Sequence, residues 1–118
     1  MKETDLFLPV KILLESLGFD VYAEARNCDV IGKKKEELVI VELKKNLNLS
    51  LLSQGIRRQE LTHQVFLCIP ETGEKNRSSR SKEELLKRLG LGLITVCTSP
   101  IRSSAKIVFN PLSENRVN

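Results

Sequence analysis

The sequence predicts an α/β domain in which a central mixed sheet is flanked by helices, in the order α-β-β-β-α-β-α-β. Three observations predict it. Apolar residues recur at helical spacing near the start of the chain, three short strand-like segments follow one another across polar turns, and two continuous apolar runs are each preceded by a helix-like stretch. Strands that follow helices imply right-handed crossovers onto one sheet.

Leu6, Val10, Leu13, Leu14 and Leu17 mark the first helix, and Gly18 follows as its C-terminal cap. Pro9 would disrupt a helix already running from Thr4, so the first turn is either kinked or separate. Phe19 to Ala25 and Cys28 to Gly32 read as strands. Lys33 to Glu37 reads as a polar turn into a third strand, Leu38 to Lys44, completing an antiparallel meander. Asn48 to Thr62 reads as a helix, capped by Asn48 or Ser50, with Leu49, Leu52 and Ile56 facing inward. Gly55 inside that helix costs stability unless close packing requires it.

Val65 to Ile69 is an apolar run ended by Pro70, as expected of a strand covered on both faces. Ser81-Lys82-Glu83-Glu84 reads as a capping box opening a helix that stops at Gly90, and Leu93 to Cys97 is a second buried strand. Residues 99 to 118 form an extension, with an edge strand expected at Lys106 to Phe109 and a flexible tail after it.

The 118 residues, 41% hydrophobic and 29% charged, suit one soluble domain with a real core. No apolar run approaches the roughly 20 residues of a membrane span, and Met1 to Asp5 is acidic where a secretory signal would be basic. A cytoplasmic protein with no membrane partner is expected. Cys28, Cys68 and Cys97 are an odd, widely spaced set, better explained as buried thiols than as disulfides or zinc ligands, and His63 is the one histidine. The net charge of +4 is concentrated in Lys33 to Lys35, Arg57-Arg58 and the stretch Lys75 to Lys82. Such clusters can contact phosphates, although a solvated surface produces the same pattern.

The chemistry is concentrated in Leu38 to Lys44. Alternation along a strand puts Leu38, Ile40, Glu42 and Lys44 on one face and Val39, Val41 and Leu43 on the other. A carboxylate and an ammonium at the end of a buried strand must pair, hold a cation or meet water. Asp29 interrupts its own apolar run in the same way. If residues 28 to 32 pair with 38 to 44, both carboxylates and Lys44 converge. Two hard oxygen ligands suit Mg²⁺ or Mn²⁺ and leave coordination positions open for water and a phosphate oxygen, while Lys44 orients the attacking water or deprotonates it.

Asp29 followed by Glu42-x-Lys44, within a helix, meander, helix, strand order, resembles the PD-(D/E)xK nuclease superfamily. The closest likeness is to an uncharacterised bacterial family of PD-(D/E)xK phosphodiesterases. It is carried by Glu3-Thr4-Asp5-Leu6, Asn27-Cys28-Asp29-Val30, Leu38 to Lys44, Leu51-Leu52-Ser53-Gln54 and Leu89 to Leu93, and it spans residues 3 to 98. The proline that names the motif is replaced by Cys28.

The resemblance implies a restriction-endonuclease-like core over residues 1–98 and a Mg²⁺- or Mn²⁺-dependent phosphodiesterase acting on nucleic acid, DNA above all, as an endonuclease or exonuclease. A homodimer would let two sites face two strands. It further implies that Asp29 and Glu42 ligate the metal, joined by the backbone carbonyl of Leu43 and by Glu3 with Asp5 behind it, and that Lys44 is catalytic. Gln54 with Arg58 or Arg57, one helical turn apart, would support the site from the second helix, as in the Gln-x-x-x-Tyr helix of RecB-like members. Glu24 is a second-sphere carboxylate or a surface residue. The alternative function is a non-catalytic nucleic-acid-binding or regulatory module on the same fold.

Overall fold

The structure is a computed structural model that describes residues 2–24, 29–71, 77–97, 99 and 101–112, with the backbone alone described at Glu24 and Asp29. A 3-10 turn, Glu3–Leu6, leads directly into α1 (Phe7–Ser16), so the first turn is separate from the helix proper. Pro9 falls in the first turn of α1, where backbone N–H groups have no intrahelical acceptor, so its missing donor is tolerated. Gly18, at φ 95°, turns the chain out of the helix.

β1 (Asp20–Glu24), β2 (Asp29–Lys34) and β3 (Glu37–Leu43) form the antiparallel meander. Lys33 and Lys34, expected in the turn, belong to β2, and the reversal is confined to Lys35 and Glu36 with Lys34 opposite Glu37. Lys35 takes a left-handed φ of 55° there. The shorter turn sets the register Val30↔Val41.

α2 (Leu49–Arg58) begins at Asn48, whose Oδ1 accepts a hydrogen bond from the Leu51 N–H at 2.9 Å. It ends at Arg58 rather than continuing to Thr62. Of its expected inward face, Leu52 packs against the core, but Leu49 and Ile56 do not. Leu49 is 82% and Ile56 44% exposed, whereas Leu51 and Gly55 are buried. The cause is close approach: a Cβ on Gly55 would lie 2.9 Å from the Leu67 Cδ2 and 3.3 Å from the Leu91 methyls. The helix therefore turns Leu51 and its glycine, rather than Leu49 and Ile56, toward the sheet.

β4 (Val65–Pro70) and β5 (Gly92–Cys97) lie parallel to β3, and β6 (Ser104–Phe109) closes the sheet antiparallel to β5. The six strands are ordered as in the sequence. α3 (Arg77–Leu89) starts before the expected capping box, which places Ser81 inside the helix, and it ends before Gly90 at φ 79°.

Two cores result, one on each face. Leu6, Val10 and Leu14 pack on Val30, Val39, Val41, Phe66, Cys68, Ile94 and Val96. Leu51 of α2 and Leu86 of α3 pack on Val65, Leu67 and Leu93. Alternate residues of the same strands thus serve opposite layers, with α1 on one face and α2 and α3 on the other. Among the described residues no helix is long and apolar enough to cross a membrane.

Candidate active site

β3 is buried from Val39 to Leu43, and Glu42 lies within that stretch at 1% exposure, the one buried charged residue among those described. Val41 and Leu43 point into the α1 core, so alternation turns Glu42 toward α2, at the register position of Leu67 on β4. An isolated carboxylate there would be strongly disfavoured. Arg58 offsets that cost: its Nε lies 3.3 Å from Glu42 Oε2. Leu51, Gly55 and Arg58 follow one another at four- and three-residue steps, so the close approach that buries Gly55 also brings the guanidinium inward.

The placement of α2 is fixed at its far end as well. Gln59 Nε2 donates to the Leu89 carbonyl at 2.9 Å, and Thr62 Oγ1 donates to the Leu38 carbonyl at 2.8 Å, tying the end of α2 to α3 and to the start of β3.

Lys44 follows β3 immediately. Its N–H donates to the Cys68 carbonyl at 3.0 Å, extending the parallel ladder by one bond, and its half-buried side chain brings Nζ to 3.9 Å from Glu3 Oε1. Glu3 is carried by the 3-10 turn whose Leu6 is anchored in the α1 core, while Asp5 caps that turn by accepting the Lys2 N–H at 2.8 Å. The strand end therefore holds two carboxylate–cation pairs: Glu42 with Arg58 from one layer, and Lys44 with Glu3 from the other. The Leu43 carbonyl belongs to the residue between them.

Asp29 is the first residue of β2 and pairs with Glu24 of β1. The β2–β3 ladder ends at Val30↔Val41, and Asp29 and Glu42 are the next residues on the two strands. Glu24 and Asp29 are cross-strand partners, and Glu42 lies just past the end of the β2–β3 ladder. The side chains of Glu24 and Asp29, like Cys28, lie outside the described residues.

Of the other sequence candidates, Gln54 is half-buried and Arg57 exposed, and neither side chain has a hydrogen-bond or ion-pair partner among the described residues. His63 is exposed. Cys97 is exposed, contrary to the expectation of a buried thiol, because β5 ends there. Cys68 is fully buried, and desolvation pushes its pKa from 9.0 up to about 12, which makes it no nucleophile at neutral pH.

Among the described residues no group of three His, Cys, Asp or Glu side chains stands ready to hold a metal ion. The donors available at the strand end are carboxylate and carbonyl oxygens, the hard set that suits Mg²⁺ or Mn²⁺ rather than zinc. The Arg58 contact is the signal that sequence spacing gave only in outline, since it depends on how closely α2 approaches β4. No family model, no curated protein and no solved structure matches this chain.

Proposed function

We propose that this chain is a metal-dependent phosphodiesterase of the PD-(D/E)xK type, with a restriction-endonuclease-like core, and that it hydrolyses nucleic acid, DNA in particular. The observation that carries the reading is Glu42, a buried carboxylate at the carboxyl end of a parallel strand, with Lys44 two residues on and Asp29 next to Val30, the last residue of β2 paired with β3. Ligand sites of open α/β sheets lie beyond the carboxyl ends of the strands, and β3 has that end beside β4.

Glu42 and Asp29 would hold a Mg²⁺ or Mn²⁺ ion, with the Leu43 carbonyl and Glu3 completing the donor set. The bound ion would supply an acidified water and neutralise charge gathering on the phosphate oxygens. The residues of the chain supply the rest. Lys44, whose backbone N–H is tied to the Cys68 carbonyl and whose Nζ is drawn toward Glu3, would donate a hydrogen bond that orients the attacking water. Arg58 holds the Glu42 carboxylate in place for its role as a ligand.

Purified protein is expected to cleave duplex or single-stranded DNA with Mg²⁺ or Mn²⁺, and Glu42→Ala, Glu42→Gln and Lys44→Ala each to lower the rate by about 10²–10³-fold or more while the circular dichroism spectrum stays unchanged. Absence of cleavage with either ion on any DNA or RNA form, or cleavage that persists in the folded Glu42→Gln protein, overturns the reading.

One observation favours a second reading, a non-catalytic nucleic-acid-binding module on the same fold: Arg58 already satisfies Glu42 without an ion. Calorimetric titration with Mn²⁺ separates the two, because the module would release no heat of ion binding and would still bind DNA in a salt-sensitive way.

A further inference from the structure

The helices on the two faces of the sheet differ sharply in charge. The 3-10 turn and α1 together carry three acidic side chains and one basic, whereas α2 and α3 carry seven basic and two acidic. The excess positive charge of the helical layers thus lies wholly on the face toward which Glu42 points. Most of it belongs to α3, whose Arg77, Arg80 and Arg88 are all exposed.

These arginines stand at three-, eight- and eleven-residue spacings that keep them along one side of the helix, with Ser81 and Glu84 one turn on from Arg77 and Arg80. With Leu85 they line a shallow recess of about 320 Å³. Arg77 and Arg80 have no ion-pair partner among the described residues, and Arg88 is engaged only by Glu84, at 3.5 Å on an exposed surface where such a pair is readily exchanged for a stronger anion. The row from Arg77 to Arg88 rises about 16 Å along the helix, the length of about five base-pair steps of duplex.

We infer that this side of α3 is a docking surface for the phosphodiester backbone of nucleic acid, with Arg77, Arg80 and Arg88 as its phosphate contacts and Ser81 as a neutral donor among them. The inference rests on the proposed function only for the identity of the polyanion. A lipid surface fits less well, because the Leu86 and Leu89 side of α3 packs into the sheet core and leaves no apolar face to enter a bilayer. The binding is backbone-directed, since the recess offers charge and a hydroxyl and no aromatic platform for stacking bases.

The test measures fluorescence anisotropy of labelled duplex DNA with the full chain in EDTA, so that binding is read without cleavage, over a series of KCl concentrations. Arg77→Glu/Arg80→Glu is expected to raise Kd about tenfold or more and to flatten the slope of log Kd against log salt by about 2, as the loss of two phosphate contacts requires. Arg77→Gln/Arg80→Gln, which removes charge without reversing it, flattens the slope equally. Lys11→Glu on the opposite face changes the slope by less than about 0.5.

Wild-type slope and Kd in both arginine variants overturn the inference, as does binding to anionic phospholipid vesicles with none to duplex. If DNA is cleaved but the arginine variants bind like wild type, the surface fails and the chemistry stands. If DNA binds through α3 and Glu42→Gln matches an inactive wild type, the surface stands and the chemistry fails.

Discussion

The two faces of the sheet are built from the same strands and solve different problems. On the α1 face, residues Val30, Val39, Val41, Phe66, Cys68, Ile94 and Val96 make a broad apolar layer with no buried charge among the described residues. On the α2 and α3 face the apolar layer is smaller, the helix approaches closely enough to require Gly55, and a buried carboxylate is admitted against an arginine. The contrast teaches that one layer is organised for stability and the other gives up some apolar contact to hold a charged group at a strand end.

Truncation on each face sharpens this difference. Leu14→Ala, in the α1 core at 2% exposure, is expected to cost about 3 kcal/mol in urea unfolding. Arg58→Ala is expected to cost about 2 kcal/mol, less than the full penalty for an orphaned buried charge because the Arg58 side chain is 28% exposed. Adding Glu42→Gln to Arg58→Ala should recover about half of that loss in a double-mutant cycle. Strict additivity would mean that the carboxylate is not held by the arginine, and the contrast between the faces would disappear.

A smaller effect probes the close approach of α2. Gly55→Ala gains up to about 1 kcal/mol of helix propensity and loses about 2 kcal/mol to overlap with Leu67 and Leu91, a net loss of about 1 kcal/mol. A stabilised variant would show that α2 has room to withdraw.

The smallest effect at neutral pH concerns Cys68. Folding raises its pKa from 9.0 to about 12, so the folded protein favours the thiol. That contribution is complete below pH 9 and is lost as pH rises toward 12, as the unfolded chain ionises first. Stability should therefore decline more steeply across this window in the wild type than in Cys68→Ala, and iodoacetamide at neutral pH should label Cys97 and spare Cys68 until the chain unfolds.

Much of this was legible in the residues themselves. Alternation in Leu38 to Lys44, the apolar runs at Val65 and Leu93 and the glycines after α1 and α3 are local signals, and the elements they announce are present. Glu42 and Lys44 stood out for the same reason, as charges inside an apolar pattern. What was not legible depended on tertiary distance. Leu49 and Ile56 look like core residues by spacing, but the position of Leu67 and Leu91 selects Leu51 and Gly55 instead. The capping-box pattern at Ser81 was overridden because the helix gains a further turn from Arg77. The Glu3–Lys44 pair joins residues far apart in sequence, and nothing local announces it.

The sequential strand order has a consequence for how the molecule is assembled. Every strand neighbours the ones before and after it in the chain, so the sheet can be extended as the polypeptide emerges, without waiting for a distant partner. A meander of β1 to β3 formed on its own would leave Glu42 on its edge strand, open to water. Only when α2 and β4 arrive does its carboxylate lose solvent, and α2 brings Arg58 in that same step. The order of synthesis thus delivers the counter-charge together with the cover.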